Sequence, residues 1–205
     1  MRKLIIMDKK IAFITGISRG IGLEIAKSFV NDDYFVIGTS RSSFRINEEL
    51  NSENCMHLLM DVTDREQISS CFDELKKINK IPNVLINNAG LLHKDELGEL
   101  DAGNIRAQFE VNALAPLRAT EALLKNLTGG SKVALITSRM GSIGDNGSGS
   151  RYGYRMSKAA LNAAGKSLAL DLKDKGISVV LLHPGFVQTE MVNHAGDIPP
   201  ETAAE

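Results

Sequence analysis

Two cysteines in 205 residues, Cys55 and Cys71, leave no material for a disulfide framework. They lack zinc-like spacing. Cys55 opens an apolar run and Cys71 falls in a helical pattern, so both read as reduced structural thiols. An excess of either charge is missing as well. The 24 Lys and Arg nearly balance 25 Asp and Glu, for a formal net charge of -1, which argues against nucleic acid or an anionic membrane surface as main partner. The runs Lys76-Lys77 and Lys173-Asp174-Lys175 read as solvated helix faces. No apolar run approaches transmembrane length, and the stretch Met1-Arg2-Lys3-Leu4-Ile5-Ile6-Met7 is too short for a signal peptide despite its basic onset. His57, His93, His183 and His194 are scattered without paired ligand spacing, so no metal is expected. These absences predict a cytoplasmic protein. The chain is long enough for one substantial core, and with neither repeat nor dividing linker it reads as a single domain over residues 1–205.

What is present is an alternation. Apolar runs recur at 11–14, 34–37, 56–60, 84–86, 133–136 and 177–182, mostly continuous, as expected of strands buried on both faces. Helical patterns lie between them, around 20–31, 64–79, 104–127 and 152–175. Strand–helix–strand alternation implies right-handed crossovers and a parallel sheet covered on both faces. The expected fold is a doubly wound, Rossmann-type α/β domain of three layers. One segment breaks the rhythm: Arg139 to Arg151 carries Gly141, Gly144, Gly147 and Gly149 among serines. It reads either as a flexible surface loop or as a loop over an active site.

Thr15-Gly16-Ile17-Ser18-Arg19-Gly20-Ile21-Gly22 follows the first strand and opens a helix. Glycines there let backbone approach a pyrophosphate, while a helix N-terminus offers free N–H groups. A tight turn without a ligand is the plain alternative. An acid taking the ribose hydroxyls is expected some ~20 residues further on. The chain instead reads Gly38-Thr39-Ser40-Arg41. With no acid to repel a 2′-phosphate, and with Arg19 and Arg41 available to grip one, the pattern points to NADP(H).

Tyr154 and Lys158 stand four apart in a helical context, so their heads share one face. Lowering a phenol from ~10 by ~3 units takes ~4 kcal/mol. A cation at ~4 Å supplies ~1 kcal/mol in water and ~4 kcal/mol in a partly desolvated cleft. A buried Tyr/Lys pair can therefore act as an acid/base, and an exposed one cannot. Tyr152 is the rival phenol, but its i+4 partner is Met156, which places it in packing or the pocket wall.

Together these motifs resemble the short-chain dehydrogenase/reductase family. The glycine turn, Asn87-Asn88-Ala89-Gly90, Asn112, Thr137-Ser138, Tyr154-x-x-x-Lys158 and Pro184-Gly185-Phe186-Val187-Gln188-Thr189 occur in the family's order across residues 11–191. The run from Gly141 to Asn146 and that from Tyr152 to Lys158 further resemble the carbonyl-reductase-like branch that includes C-factor-type proteins. The resemblance implies that Tyr154 gives a proton to a carbonyl oxygen, Ser138 holds that oxygen, Lys158 stabilises the phenolate and touches the nicotinamide ribose, and Asn112 positions a relay water. For the cofactor it implies Gly16, Ser18, Arg19, Gly20, Ile21 and Gly22 at the phosphates, and Asp61 with Val62 at the adenine. Asn87, Asn88, Ala89 and Gly90 would form a shelf beneath it, with Pro184, Gly185, Val187 and Thr189 at the nicotinamide. Asp61 has an alternative reading as a helix N-cap.

The implied function is NADPH-dependent interconversion of a carbonyl and an alcohol. The alternative is an NADP(H)-binding signalling or redox-sensing protein of C-factor type with little turnover. The family's usual last strand has no counterpart before Glu205, which leaves the sixth strand as a bare apolar edge and suggests a missing C-terminal segment. A homodimer or homotetramer is expected through the helices near 104–127 and 152–175, with Ala163, Ala164 and Gly165 permitting close approach. The loop at 139–151 and the segment after Thr189 are expected to be mobile, with Pro199-Pro200 breaking any helix there.

Overall fold

The computed structural model describes residues 9–43, 50 and 53–205. The reading of Met1–Met7 lies outside them. Six strands, β1 (Ile11–Thr15), β2 (Phe35–Ser40), β3 (Cys55–Leu59), β4 (Val84–Asn87), β5 (Lys132–Ile136) and β6 (Ser178–Leu182), form one all-parallel sheet in the order β3-β2-β1-β4-β5-β6. The runs read as strands in the sequence all become strands, with ends shifted by up to three residues. Every residue of β1 and β4 is buried, as their unbroken apolar runs require.

Helix α1 (Gly20–Asn31) covers one face of the sheet. There Ile25 and Ala26 meet Ala12, Ile14, Val36 and Ile86. The other face is covered by α2 (Arg65–Lys77), α4 (Ala115–Leu123) and α5 (Tyr152–Asp171), which close over Phe13, Ile37, Leu85 and Leu135. A shorter helix, α3 (Ala102–Phe109), runs into α4 through a π-turn, Glu110–Leu114, so the continuous helix expected over 104–127 is interrupted. Gly165 is turned inward: a β-carbon there would meet Leu181 Cδ2 at 2.7 Å and Leu135 Cδ1 at 2.9 Å, so it serves α5's contact with its own sheet.

At the C-terminal side, β6 is the exposed apolar edge that the sequence leads one to expect, and a second feature departs from expectation. Val180, Leu181 and Leu182 of β6 are 42, 40 and 46% exposed, unlike the fully buried strands β1 and β4. The two prolines start a helix instead of ending one: Pro199 precedes α6 (Pro200–Ala204), whose Ala204 packs into the α1 side of the core. Proline at the first helical turn loses no hydrogen bond, because that N–H has no partner inside the helix. The chain also bridges back on itself, with Gln188 N donating to Ile198 O at 2.9 Å and Asp197 N to Phe186 O at 2.7 Å.

Candidate active site

The chain leaves β1 and β4 in opposite directions across the sheet, which opens a crevice beyond their C-terminal ends. A cleft of about 1530 Å³ occupies that place. Its nucleotide-facing end is built by the glycine turn. Gly16 and Gly20 have φ of +77° and +57°, a conformation that disfavours any side chain. A β-carbon on Gly22 would overlap the Gly16 carbonyl oxygen and Asn88 Nδ2. Asn88 locks this turn to the end of β4, its Nδ2 donating to Thr15 O at 3.0 Å and Gly16 O at 3.1 Å. Thr15 Oγ1 in turn accepts from the backbone N–H of Asn88 and of Ala89, both at 3.0 Å.

Helices α2 and α3 are capped by Asp64 and Asp101. Helix α1 has no side-chain cap and no acid in its first turn. Its free N–H groups and positive dipole end face the cleft, an arrangement suited to phosphate. Ser18, Arg19, Gly20, Ile21, Arg41, Asp61 and Val62 line this end of the cleft. Asp61 is not the helix cap; Asp64 is, accepting from the N–H of Glu66 and Gln67. Asp61 instead accepts from Thr63 N at 2.8 Å and Thr63 Oγ1 at 2.7 Å. Arg41 is exposed at the end of β2. Arg19 is engaged elsewhere, in an ion pair with Glu190 at 2.7 Å.

The opposite end carries the proton-handling groups. Ser138 lies just past the end of β5, and its Oγ accepts from Met140 N at 3.1 Å, fixing a short turn, Arg139–Gly141. Gly141 is buried against α5, where a β-carbon would meet the Lys158 carbonyl carbon at 2.7 Å. The glycine-rich segment is therefore two things: a tight brace at 139–141 and an exposed stretch at 142–149. The Ser138 hydroxyl lies near enough to the Tyr154 phenol to favour its ionised form. Lys158 is 5% exposed and donates through Nζ to Ile136 O at 2.8 Å, with Nζ 5.7 Å from the Tyr154 ring centroid. Gly90, Ala89, Pro184, Gly185, Val187 and Thr189 complete the walls between the two ends.

One prediction does not hold in the form made, and a second residue sits in a different place from the one the resemblance implies. Burial raises the Tyr154 phenol above its usual value; the Ser138 hydroxyl and the charge of Arg151 pull the other way without reversing it. The sequence argument expected a lowered phenol beside Lys158, but that amine is itself desolvated, which brings it down to about 8, and is turned to a backbone carbonyl. Asn112, in the π-turn, does not reach the cleft wall. Its Nδ2 donates to Leu91 O at 2.8 Å and Ser157 Oγ at 3.0 Å, and its Oδ1 accepts from Leu91 N at 2.7 Å. A buried amide must find such partners, and these tie the post-β4 loop to α5 one residue before Lys158. Tyr152 likewise does not line the cleft.

Sequence reasoning missed Asp95 and Arg151. Asp95 is 1% exposed; its Oδ2 accepts from Gly153 N and from Gln108 Nε2, each at 3.0 Å, which anchors the first turn of α5. It lies in an irregular loop that carries no periodic signal. Arg151 lines the cleft immediately before α5, and its one sequence mark is a cation three residues before Tyr154. His183, read as incidental, lines the cleft as well, with burial and the Arg139 charge lowering its pKa. Among the described residues no helix is long and apolar enough to cross a membrane.

Known proteins are similar to this chain in sequence and fold. A 1-hydroxy-2-glutathionyl-2-methyl-3-butene dehydrogenase of Rhodococcus sp. is 43% identical over 149 residues, 71% of this chain and 66% of its own length, just under two thirds. The C-signal protein of Myxococcus xanthus is 48% identical over 120 residues, covering 57% of this chain and 72% of its own. The crystal structure of an NADPH-bound carbonyl reductase from chicken fatty liver superposes with a TM-score of 0.84 at 25% identity, covering 96% of this chain and 88% of that one. Residues 10–198 match the family described as short chain dehydrogenase, and with that match over most of its length the chain belongs to the short-chain dehydrogenase family of oxidoreductases.

Proposed function

We propose that the protein is an NADPH-dependent oxidoreductase that interconverts a carbonyl and an alcohol. The observation carrying this reading is the joining, in one cleft, of Ser138, Tyr154 and buried Lys158 with a glycine cradle that no side chain could enter. The cradle fits a dinucleotide: Gly16, Gly20 and Gly22 expose backbone, and the uncapped start of α1 supplies N–H donors for the pyrophosphate. Arg41 at the end of β2, with no acid beside it, favours a 2′-phosphate. When bound, a nicotinamide supplies the hydride that goes to the carbonyl carbon.

The chain's own residues then have to manage the oxygen. Ser138 donates a hydrogen bond to it and Tyr154 hands it the proton, so that hydride plus proton give the alcohol and the oxidised cofactor. Lys158, held by Ile136 O, places a cation behind the phenolate that Tyr154 becomes. Asn112 is a positioning residue, bracing α5 through Ser157.

Turnover of NADPH and NADH against a panel of ketones, aldehydes and quinones tests the reading, with Tyr154→Phe as control. Loss of the proton donor should cut kcat by ~10²-fold or more with NADPH affinity nearly unchanged. A Tyr154→Phe enzyme as fast as the parent would refute the assignment. The similarity to the C-signal protein supports a second reading, NADP(H) binding in a signalling role. Micromolar NADPH binding with zero turnover across the panel would establish that one instead.

A further inference from the structure

The charges around the cleft do not balance, and part of the surplus of cations lies on the Tyr154 side. Of the carboxylates that line it, Glu110 is held by Arg118 at 2.9 Å, Asp145 by Arg139 at 3.0 Å and Glu190 by Arg19 at 2.7 Å. Asp61, at the adenine end, is satisfied by Thr63. None of these acids is left for Arg151 or Lys94, which also line the cleft and make no ion pair among the described residues.

Arg151 is presented at a cost. Gly149, Ser150 and Arg151 take φ of 64°, 49° and 53° in succession, and two of the three carry a β-carbon that disfavours this region. Two clamps hold the turn. Arg155 Nε donates to the carbonyls of Gly149 and Ser150, both at 3.2 Å, and its Nη2 to Ser148 Oγ at 2.9 Å. From the other side Arg151 N donates to Asp95 O at 2.7 Å while Asp95 Oδ2 takes Gly153 N. A plain connection into α5 needs neither the strain nor the clamps. Their effect is to set a half-buried guanidinium at the cleft wall near the reacting hydroxyl, close enough for its charge to act on Tyr154. The cofactor's phosphates have their own donors at the start of α1 and at Arg41, on the far side of β4, so this cation is left to the substrate.

We propose that Arg151, with Lys94 at the rim, is an anion-binding subsite that selects carbonyl substrates bearing a carboxylate or phosphate group a few bonds from the reacting carbon. The inference rests on the carbonyl-reductase reading above and names its substrate class. A guanidinium fork matches the paired oxygens of either anion, and partial burial protects the contact from screening by salt. Arg151 is thus a specificity-determining residue, acting on what binds and where, while Ser138 and Tyr154 act on the carbonyl oxygen.

The test compares 5-oxohexanoate, its methyl ester and 4-oxopentyl phosphate as substrates of the parent, Arg151→Gln and Arg151→Lys proteins with NADPH. At least one anion should exceed the ester in kcat/KM by about tenfold or more, as a charge-assisted contact allows. That ratio should collapse towards unity in Arg151→Gln and recover in part in Arg151→Lys. Whichever anion shows the larger ratio identifies the group bound. A parent ratio near one, or a ratio that Arg151→Gln leaves intact, overturns the inference while the reductase reading stands. If no carbonyl compound turns over, the reductase reading fails on its own. Calorimetric titration of 5-oxohexanoate and the ester into NADP⁺-saturated protein then still decides: equal affinities, or a preference that Arg151→Gln retains, overturn the subsite.

Discussion

Replacing Asp95 by alanine should damage catalysis from a position that never touches substrate. Its Oδ2 is the acceptor for Gly153 N, in the first turn of α5, and for Gln108 Nε2 in α3. Hydrogen bonds to a carboxylate contribute ~1.5–3 kcal/mol each, more than neutral ones. Two opposing facts reduce the loss. Gln108 Nε2 keeps a second acceptor, Asn104 O at 3.3 Å, and Asp95 Oδ1 is buried with no partner, a burden that alanine removes. A net loss of ~2–3 kcal/mol remains, which for a chain of this size lowers Tm by roughly 5–10 °C. The free N–H of Gly153 will let the start of α5 shift, and Tyr154 is the next residue. Because a displacement of ~1 Å at a reacting group can cost ~10²-fold, kcat should fall at least tenfold. The glycine turn and Arg41 belong to other elements, so the Kd for NADPH should stay within about twofold of the parent. Thermal unfolding, cofactor titration and steady-state kinetics on one preparation read the three quantities. A Tm within ~2 °C of the parent together with unchanged kcat would refute the view that this carboxylate holds the catalytic helix.

Two further outcomes follow from the same structure. Arg41→Ala should weaken NADPH roughly ten- to a hundredfold and leave NADH nearly unmoved, since a charge-assisted phosphate contact contributes ~1.5–3 kcal/mol; equal losses for both would sink the 2′-phosphate assignment. For Lys158, whose folded pKa is about 8 against an ordinary 10.5, the unfolded chain binds the extra proton between those values, so the free protein should gain up to ~3 kcal/mol of stability as pH rises from about 8 towards 10. Because the raised Cys55, Cys71 and Tyr154 groups act in the opposite direction in both proteins, the rise should appear in thermal melts as the difference between the parent and Lys158→Met.

How much of this was legible in the residues depends on whether each feature is local. Strands buried on both faces must be apolar throughout, so β1, β4 and β5 announce themselves as unbroken runs, and the glycine turn is readable because backbone approach permits no side chain. The π-turn at Glu110–Leu114 has no such mark: it exists because Asn112 bonds Leu91 and Ser157, residues 21 and 45 positions away. Asp95 is invisible for the same reason, its partners lying 13 and 58 residues along the chain. Pro199-Pro200 shows a rule with two outcomes, since proline ends a helix in the interior and starts one at the first turn. The spacing of Tyr154 and Lys158 correctly put both on one face, but spacing does not say where an ammonium points.

That last point settles which form of Tyr154 the free cleft favours. Burial disfavours phenolate, and the nearest helper expected from spacing, Lys158, is committed to Ile136 O and is itself pushed towards its neutral form. The phenol therefore stays protonated well past neutral pH, which is the state a proton donor needs and a proton acceptor lacks. Carbonyl reduction should run at neutral pH with little dependence on it, whereas oxidation of the alcohol, which requires the phenolate, should climb as pH rises and go on climbing past about 8, where Lys158 has lost half of its own charge. The two pH–rate profiles, measured with one substrate pair, separate the cases. Reduction and oxidation sharing a single optimum near neutrality would mean that Tyr154 is not the group exchanging the proton.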